Sequence, residues 1–354
     1  MNVKVVIVLF VLLISGCAED KYPMAELNDV PSSKTIGDTL YVQQNPSWAG
    51  FNRPQAIIIG NDRLIYVADT ENNRLVMLDL FGHVIGTSPF IKRPIGLAQD
   101  MNLNLIVCAE FDTTLPGRTT PTTFGAIYKL NLFDAKHNLS NAVVKRVYFE
   151  PSDTVRRFTA VATLYNNWYG VTRVGNKNDI SRIDKDIAIM QFDNLDNYVS
   201  PIPNFTPEGT GLKSLDSLTG IATLPTGRSV EFVFCQKGIN SLYKIQWIRL
   251  VTIGQTTDFI SKFDPTDDPS LGILSVNRFV RPEGITFDAS GNVFMIDAGT
   301  DSLYHFSSRG IESYSFGGKT QFKQPHGVAY YDKTLYIADT GNNRIVRFKL
   351  STDF

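Results

Sequence analysis

Phe51-Asn-Arg-Pro-Gln-Ala-Ile-Ile58 leading to Tyr66-Val-Ala-Asp-Thr-Glu-Asn-Asn-Arg-Leu-Val76 is one of two stretches that decide the architecture. The other is Phe322-Lys-Gln-Pro-His-Gly-Val-Ala329 leading to Tyr336-Ile-Ala-Asp-Thr-Gly-Asn-Asn-Arg-Ile-Val346. A unit repeated this closely marks an array whose members cannot bury their apolar faces alone. Working outward from the pair, the pattern Pro-x-Gly, short strand, apolar strand ending in Ala-Asp, turn, third strand recurs along the chain. A second copy starts at Pro94 and runs through Leu105–Glu110 and Ala126–Leu130. A third uses Phe158–Ala162, Trp168–Thr172 and Ile187–Phe192, and a fourth Leu218–Ala222, Phe232–Cys235 and Leu242–Ile245. A fifth starts at Pro282 and the sixth at Pro325.

Each copy is rich in Val, Ile, Tyr and Phe and bounded by Gly, Asn, Asp and Ser, with no long run at helical period. The expectation is an all-β fold in which each repeat of about 40 residues is one propeller blade. Insertions such as Thr113–Phe124 and Gly175–Asp186 join strands within a blade and should decorate one rim. The sixth copy ends without an outermost strand, while Thr39-Leu-Tyr-Val-Gln43 precedes the first copy without a partner. Pairing Thr39–Gln43 onto Ile345–Leu350 would complete the sixth blade and remove an open edge.

Hydrophobic residues make up 43% of the chain and charged residues 19%, an ordinary globular composition. The 34 Lys and Arg nearly balance the 35 Asp and Glu, so no electrostatic partnership with nucleic acid is expected. Lys4, the apolar run Val5–Ile14 and the small residues of Ile14-Ser-Gly-Cys17 form a targeting segment too short to span a bilayer. Cys108 and Cys235 lie within apolar runs and read as small buried hydrophobes.

Small residues before Cys17 resemble a bacterial lipobox, and the acidic pair behind it is similar to the export signal of Bacteroidota lipoproteins. The resemblance implies a signal peptide at 1–16, an acylated Cys17 with a tether over 17–35, and a propeller over 36–354. The implied location is the bacterial cell envelope, anchored by lipid in the outer membrane. Pro-x-Gly-(Val/Ile)-Ala followed by Tyr-Ile-Ala-Asp-Thr-x-Asn-Asn-Arg resembles the NHL repeat. It implies a six-bladed NHL-type β-propeller, closed by an N-terminal strand that completes the last blade.

Asp69 with Arg74, and Asp339 with Arg344, flank Asn-Asn turns and can meet as hydrogen-bonded pairs of the scaffold. The residue between Pro and Gly stands where each innermost strand begins, at the mouth of the central channel. Around the ring that position holds Gln55, Ile95, Thr159, Thr219, Glu283 and His326. NHL-like lyases hold zinc on channel histidines and lactonase propellers hold calcium on acidic and amide side chains. This ring offers only Glu283 and His326 toward either.

No catalytic residue and no cofactor is expected on this reading. The leading expectation is a non-catalytic, lipid-anchored module presenting one rim to an envelope protein, peptide or glycan. The first alternative is a metal-dependent lactonase or lyase using Ca or Zn at Glu283, His326 and Gln55. The second is an accessory lipoprotein of an outer-membrane uptake complex.

Overall fold

A computed structural model of the chain describes residues 40–351, apart from 180, 225–229 and 269. Cys17, the lipobox and the tether lie outside the described residues, as does Thr39. The described chain forms six four-stranded antiparallel sheets. Their innermost strands are Pro54–Ile59, Lys92–Gln99, Arg157–Thr163, Leu218–Thr223, Pro282–Phe287 and Gly327–Tyr331. Each innermost strand contacts the one before and the one after it, the last touching the first, so the ring is closed. This is the six-bladed β-propeller expected from the repeats.

Closure uses the N-terminal strand. Tyr41–Trp48 pairs antiparallel with Arg344–Leu350, Tyr41 opposite Leu350 and Trp48 opposite Ile345. The strand runs further than Thr39–Gln43, through Pro46 to Trp48. Proline is tolerated there because this is an edge strand, with one side free of ladder bonds. The buried Trp48 ring packs on Tyr336 at 5.8 Å and lies under the Arg347 guanidinium at 4.7 Å.

The repeat cannot stand alone because its core lies between blades. Six apolar clusters fill the six interfaces, among them Tyr66, Met77, Leu97 and Val107 between blades one and two. Phe294, Ile296, Val328 and Phe348 fill the interface of blades five and six, and Ile57, Val67, Ala338 and Ile345 that of six and one. Burying each such side chain contributes about 1.5–3 kcal/mol, available only once the neighbouring blade is in place.

The glycine of Pro-x-Gly has a steric cause. A Cβ on Gly327 would lie 2.8 Å from the carbonyl oxygen of Gln55, and one on Gly96 2.8 Å from that of Thr159. Gly220 faces the Glu283 carbonyl in the same way, and Gly284 that of His326. The innermost strands therefore approach at the residue that lines the mouth, and the missing side chain sets the ring's radius there.

Two assignments change. The third strand of blade four is Ile245–Ile253, not Leu242–Ile245, because Lys237–Lys244 form a longer turn. Blades one to five also carry outermost strands, such as Tyr198–Pro201, that the sequence does not announce.

Candidate active site at the channel mouth

Between the second and third strands of blades one and six, the Ala-Asp-Thr-x-Asn-Asn-Arg motif performs four tasks. Arg74 Nε donates to Asp69 Oδ2 at 2.9 Å, and Arg344 Nε to Asp339 Oδ2 at 2.7 Å. The other aspartate oxygen accepts the amide leading into the same blade, from Asn52 at 2.7 Å and from Lys323 at 2.8 Å. Thr70 Oγ1 donates across to the Pro94 carbonyl at 2.7 Å, and Thr340 Oγ1 to that of Pro54 at 2.5 Å. Asn73 and Asn343, both left-handed, accept the amides of Arg93 and Arg53 at 2.9 and 2.8 Å. The motif thus stitches blade one to blade two and blade six to blade one, and it holds the start of those two innermost strands at the mouth.

A cavity of about 1060 Å³ runs along the ring axis, lined by Gln55, Ile95, Thr159, Thr219, Glu283 and His326 among others. These six differ in freedom. Thr219 Oγ1 donates to the Pro282 carbonyl at 2.8 Å, and the Thr159 hydroxyl pairs with that of Thr172 at 2.7 Å. Both threonines are tied to the wall. Gln55 has no side-chain hydrogen bond among the described residues and adjoins His326 across the closure.

Glu283 and His326 form the reactive part. The Glu283 side chain is only 8% exposed, and its Oε1 lies 3.0 Å from Lys237 Nζ, 3.4 Å from Arg281 Nε and 3.9 Å from His326 Nε2. Lys237 comes from the blade-four turn, at the position that Thr70 occupies in blade one, so it too reaches across to the next blade. His326 Nδ1 stands 2.9 Å from the Gln324 carbonyl. A carbonyl only accepts, so Nδ1 carries the proton and Nε2 presents its lone pair. Burial lowers the His326 pKa below its ordinary value, with the nearby Glu283 carboxylate opposing that shift. The imidazole is neutral at neutral pH.

Sequence reasoning named Glu283 and His326 but missed Lys237 and Arg281. The readable signal was an arginine repeatedly standing two residues before the mouth position, at Arg53, Arg93, Arg157 and Arg281.

The donor set does not suit the Ca or Zn of the sequence alternative. One carboxylate and one imidazole face each other, and the carboxylate already sits against two cations that would repel a dication. Among the described residues no group of three His, Cys, Asp or Glu could hold a metal ion.

A model of the NHL repeat matches residues 322–348, the turn and strands of blade six. No curated protein matches the chain in sequence. Solved structures match over the whole ring. A luciferin-regenerating enzyme superposes with TM-score 0.56 at 10% identity, covering 88% of this chain and 95% of its own. A gluconolactonase from Xanthomonas campestris gives 0.53 at 12%, covering 88% and 89%. Virginiamycin B lyase from Staphylococcus aureus gives 0.50 at 12%, covering 88% and 99%.

At such identities the likeness is one of fold. It nevertheless corrects the expectation of a non-catalytic module and the leaning against an enzyme, since the solved propellers named above are themselves enzymes. The chain is a six-bladed β-propeller carrying the NHL repeat.

Proposed function

We propose that the channel mouth is the active site of a hydrolase that opens lactone-type cyclic esters, with His326 as general base. The observation that carries the reading is the 3.9 Å gap between His326 Nε2 and Glu283 Oε1. Two acceptors at that separation do not bond to each other. A water molecule with both hydrogens engaged, each acceptor about 2.8 Å from its oxygen, fits between them.

His326 takes a proton from that water as its oxygen attacks the acyl carbon. The ring C–O bond then breaks, and the leaving oxygen recovers the proton from His326. Glu283 orients the water and steadies the imidazolium that forms, while Lys237 and Arg281 keep Glu283 ionised. The fold supports the reading, because lactonase and lyase propellers of the same build work from this architecture.

The test uses full-length protein and a panel of γ- and δ-lactones including glucono-δ-lactone. His326→Ala should lower kcat/KM by about 10²–10⁴-fold, with Glu283→Gln lower by a similar order. Turnover should survive chelator. No hydrolysis above the spontaneous rate across the panel, or an unaltered His326→Ala variant, retires the proposal.

The lipobox resemblance at Cys17 supports a further part of the proposal, that the protein is held on the outer membrane of the bacterial envelope through an acylated Cys17. Fatty-acid labelling should mark the wild type, and Cys17→Ala should move the activity from membranes to the soluble fraction.

A further inference from the structure

The residue two positions before each mouth residue forms a second ring: Arg53, Arg93, Arg157, Ser217, Arg281 and Gln324. Four of the six are arginine, yet their charges are handled differently on the two sides. Over blades two and three the cations are matched by acids. Arg93 Nη1 lies 2.5 Å from Glu71 Oε1 and its Nε 3.6 Å from Glu110 Oε2, while Arg157 Nε lies 3.2 Å from Glu110 Oε1.

Around Glu283 two cations share one acid. Lys237 and Arg281 converge on the single carboxylate of Glu283, and the exposed Arg53 of the adjoining blade has no ion pair among the described residues. Asp297, the acid nearest in sequence pattern, accepts the backbone amides of Val280, Arg281 and Gly299 at 2.8 Å each. Arg281 Nε is buried without hydrogen-bonding geometry to any acceptor. Its Nη2 makes one long bond of 3.3 Å to the Ala298 carbonyl. With a neutral His326, Lys237 and Arg281 face only the one carboxylate of Glu283 by ion pairing, in a concave wall where such charge acts strongly.

We infer that the molecule bound at this mouth carries an anionic oxygen group, a carboxylate or a phosphate, held by Arg281 and Lys237 beside the His326–Glu283 gap. The inference rests on the hydrolase reading for the reaction but not for the binding. Arg281 offers its planar fork to the anion and Lys237 a point charge. Glu283 competes for both, so it tunes the affinity downward.

Titration calorimetry on full-length protein tests this with D-gluconate and with inorganic phosphate as probes and glucose as the uncharged control. Saturable binding of either anion and none of glucose is expected, and the preferred probe tells carboxylate from phosphate. Arg281→Gln and Lys237→Gln should each weaken binding at least fivefold. His326→Ala should leave it within twofold, and Glu283→Gln should tighten it severalfold while removing turnover. Lys237 is exposed, so its variant keeps the test available if Arg281→Gln fails to fold in a melting check. No saturable binding of either anion, or equal binding by Lys237→Gln and wild type, overturns the inference even if lactones are hydrolysed. Anion binding without hydrolysis of any lactone supports the inference and removes the proposed reaction.

Discussion

Blades one and three place opposite charges at the same point of the same scaffold. Asp69 stands opposite Pro54 at the end of blade one's second strand, and Arg173 stands opposite Phe158 in blade three. Asp69 is fully buried and Arg173 is 2% exposed. The aspartate is satisfied locally, by Asn52, Asn72 and Arg74. The arginine instead meets Glu150 at 2.5 Å, Asp184 at 2.8 Å, and the carbonyls of Lys185 and Asp186. Arg156 shares Glu150 and Asp184 and adds Asp186 at 2.8 Å. The insertion between the second and third strands, with Asp184 and Asp186, therefore shares with Glu150 the counter-charge of blade three. At this joint blades one and three each bury a fully bonded polar group, and the two groups have opposite sign.

The comparison breaks first at Arg173. Arg173→Ala leaves Glu150 buried with one partner fewer and should cost about 3–5 kcal/mol in urea unfolding. A cost below that of removing Asp69 would mean that the insertion is decoration.

Acid sharpens the contrast, once a histidine in blade five is removed from the readout. Burial between Phe294 and Tyr314 lowers the His305 pKa from 6.5 to about 4, with Asp288 opposing. Its folded value lies below its unfolded one, so the unfolded chain binds the extra proton. Stability should be complete above pH 6.5 and fall by about 3 kcal/mol as pH drops toward 4. His305→Phe should flatten that interval.

Below it, blade three should loosen. Burial opposes ionisation of Asp153, yet Lys177 and the Val155 amide hold its carboxyl below the ordinary value; Asp184 is lowered likewise by Arg173 and Arg156 against burial. Their contribution exists above the unfolded carboxylate pKa and is lost as pH falls through the depressed one. Hydrogen exchange should show amides of residues 170–179 and 181–190 opening there.

Asp69→Ala comes next, at about 2–3 kcal/mol, because it strands the buried donors that Asp69 had satisfied. Arg74→Ala should cost at most about 1 kcal/mol by thermal melting, since the Arg74 side chain is 36% exposed and water replaces it. A larger loss at Arg74 than at Asp69 would assign the joint's strength to the ion pair rather than to the backbone amide it frees.

Much of this was legible in the repeats. The spacing of Pro54, Pro94, Pro282 and Pro325 carried the blades, and the unpaired Leu-Tyr-Val before the first copy carried the closure. Blade three's anchor was not legible, because a pattern search for Ala-Asp-Thr does not recognise Arg173 as its equivalent. Leu242–Ile245 misled because an apolar alternation inside a turn has the same period as a strand. Of the site, Glu283 and His326 followed from the position between Pro and Gly. Lys237 and Arg281 did not, for their significance lies in which blade each reaches toward.

The sequence alone determined the all-β class, the number of blades and the residues that stand at the mouth, because backbone periodicity and turn chemistry are local. Only the tertiary structure decided which charges meet. It joined the two ends of the chain, set Lys237 of blade four against Glu283 of blade five, and left His326 3.9 Å from that carboxylate. Ion pairing depends on distances of a few ångströms between residues far apart in the chain, and those distances exist only once the ring has closed.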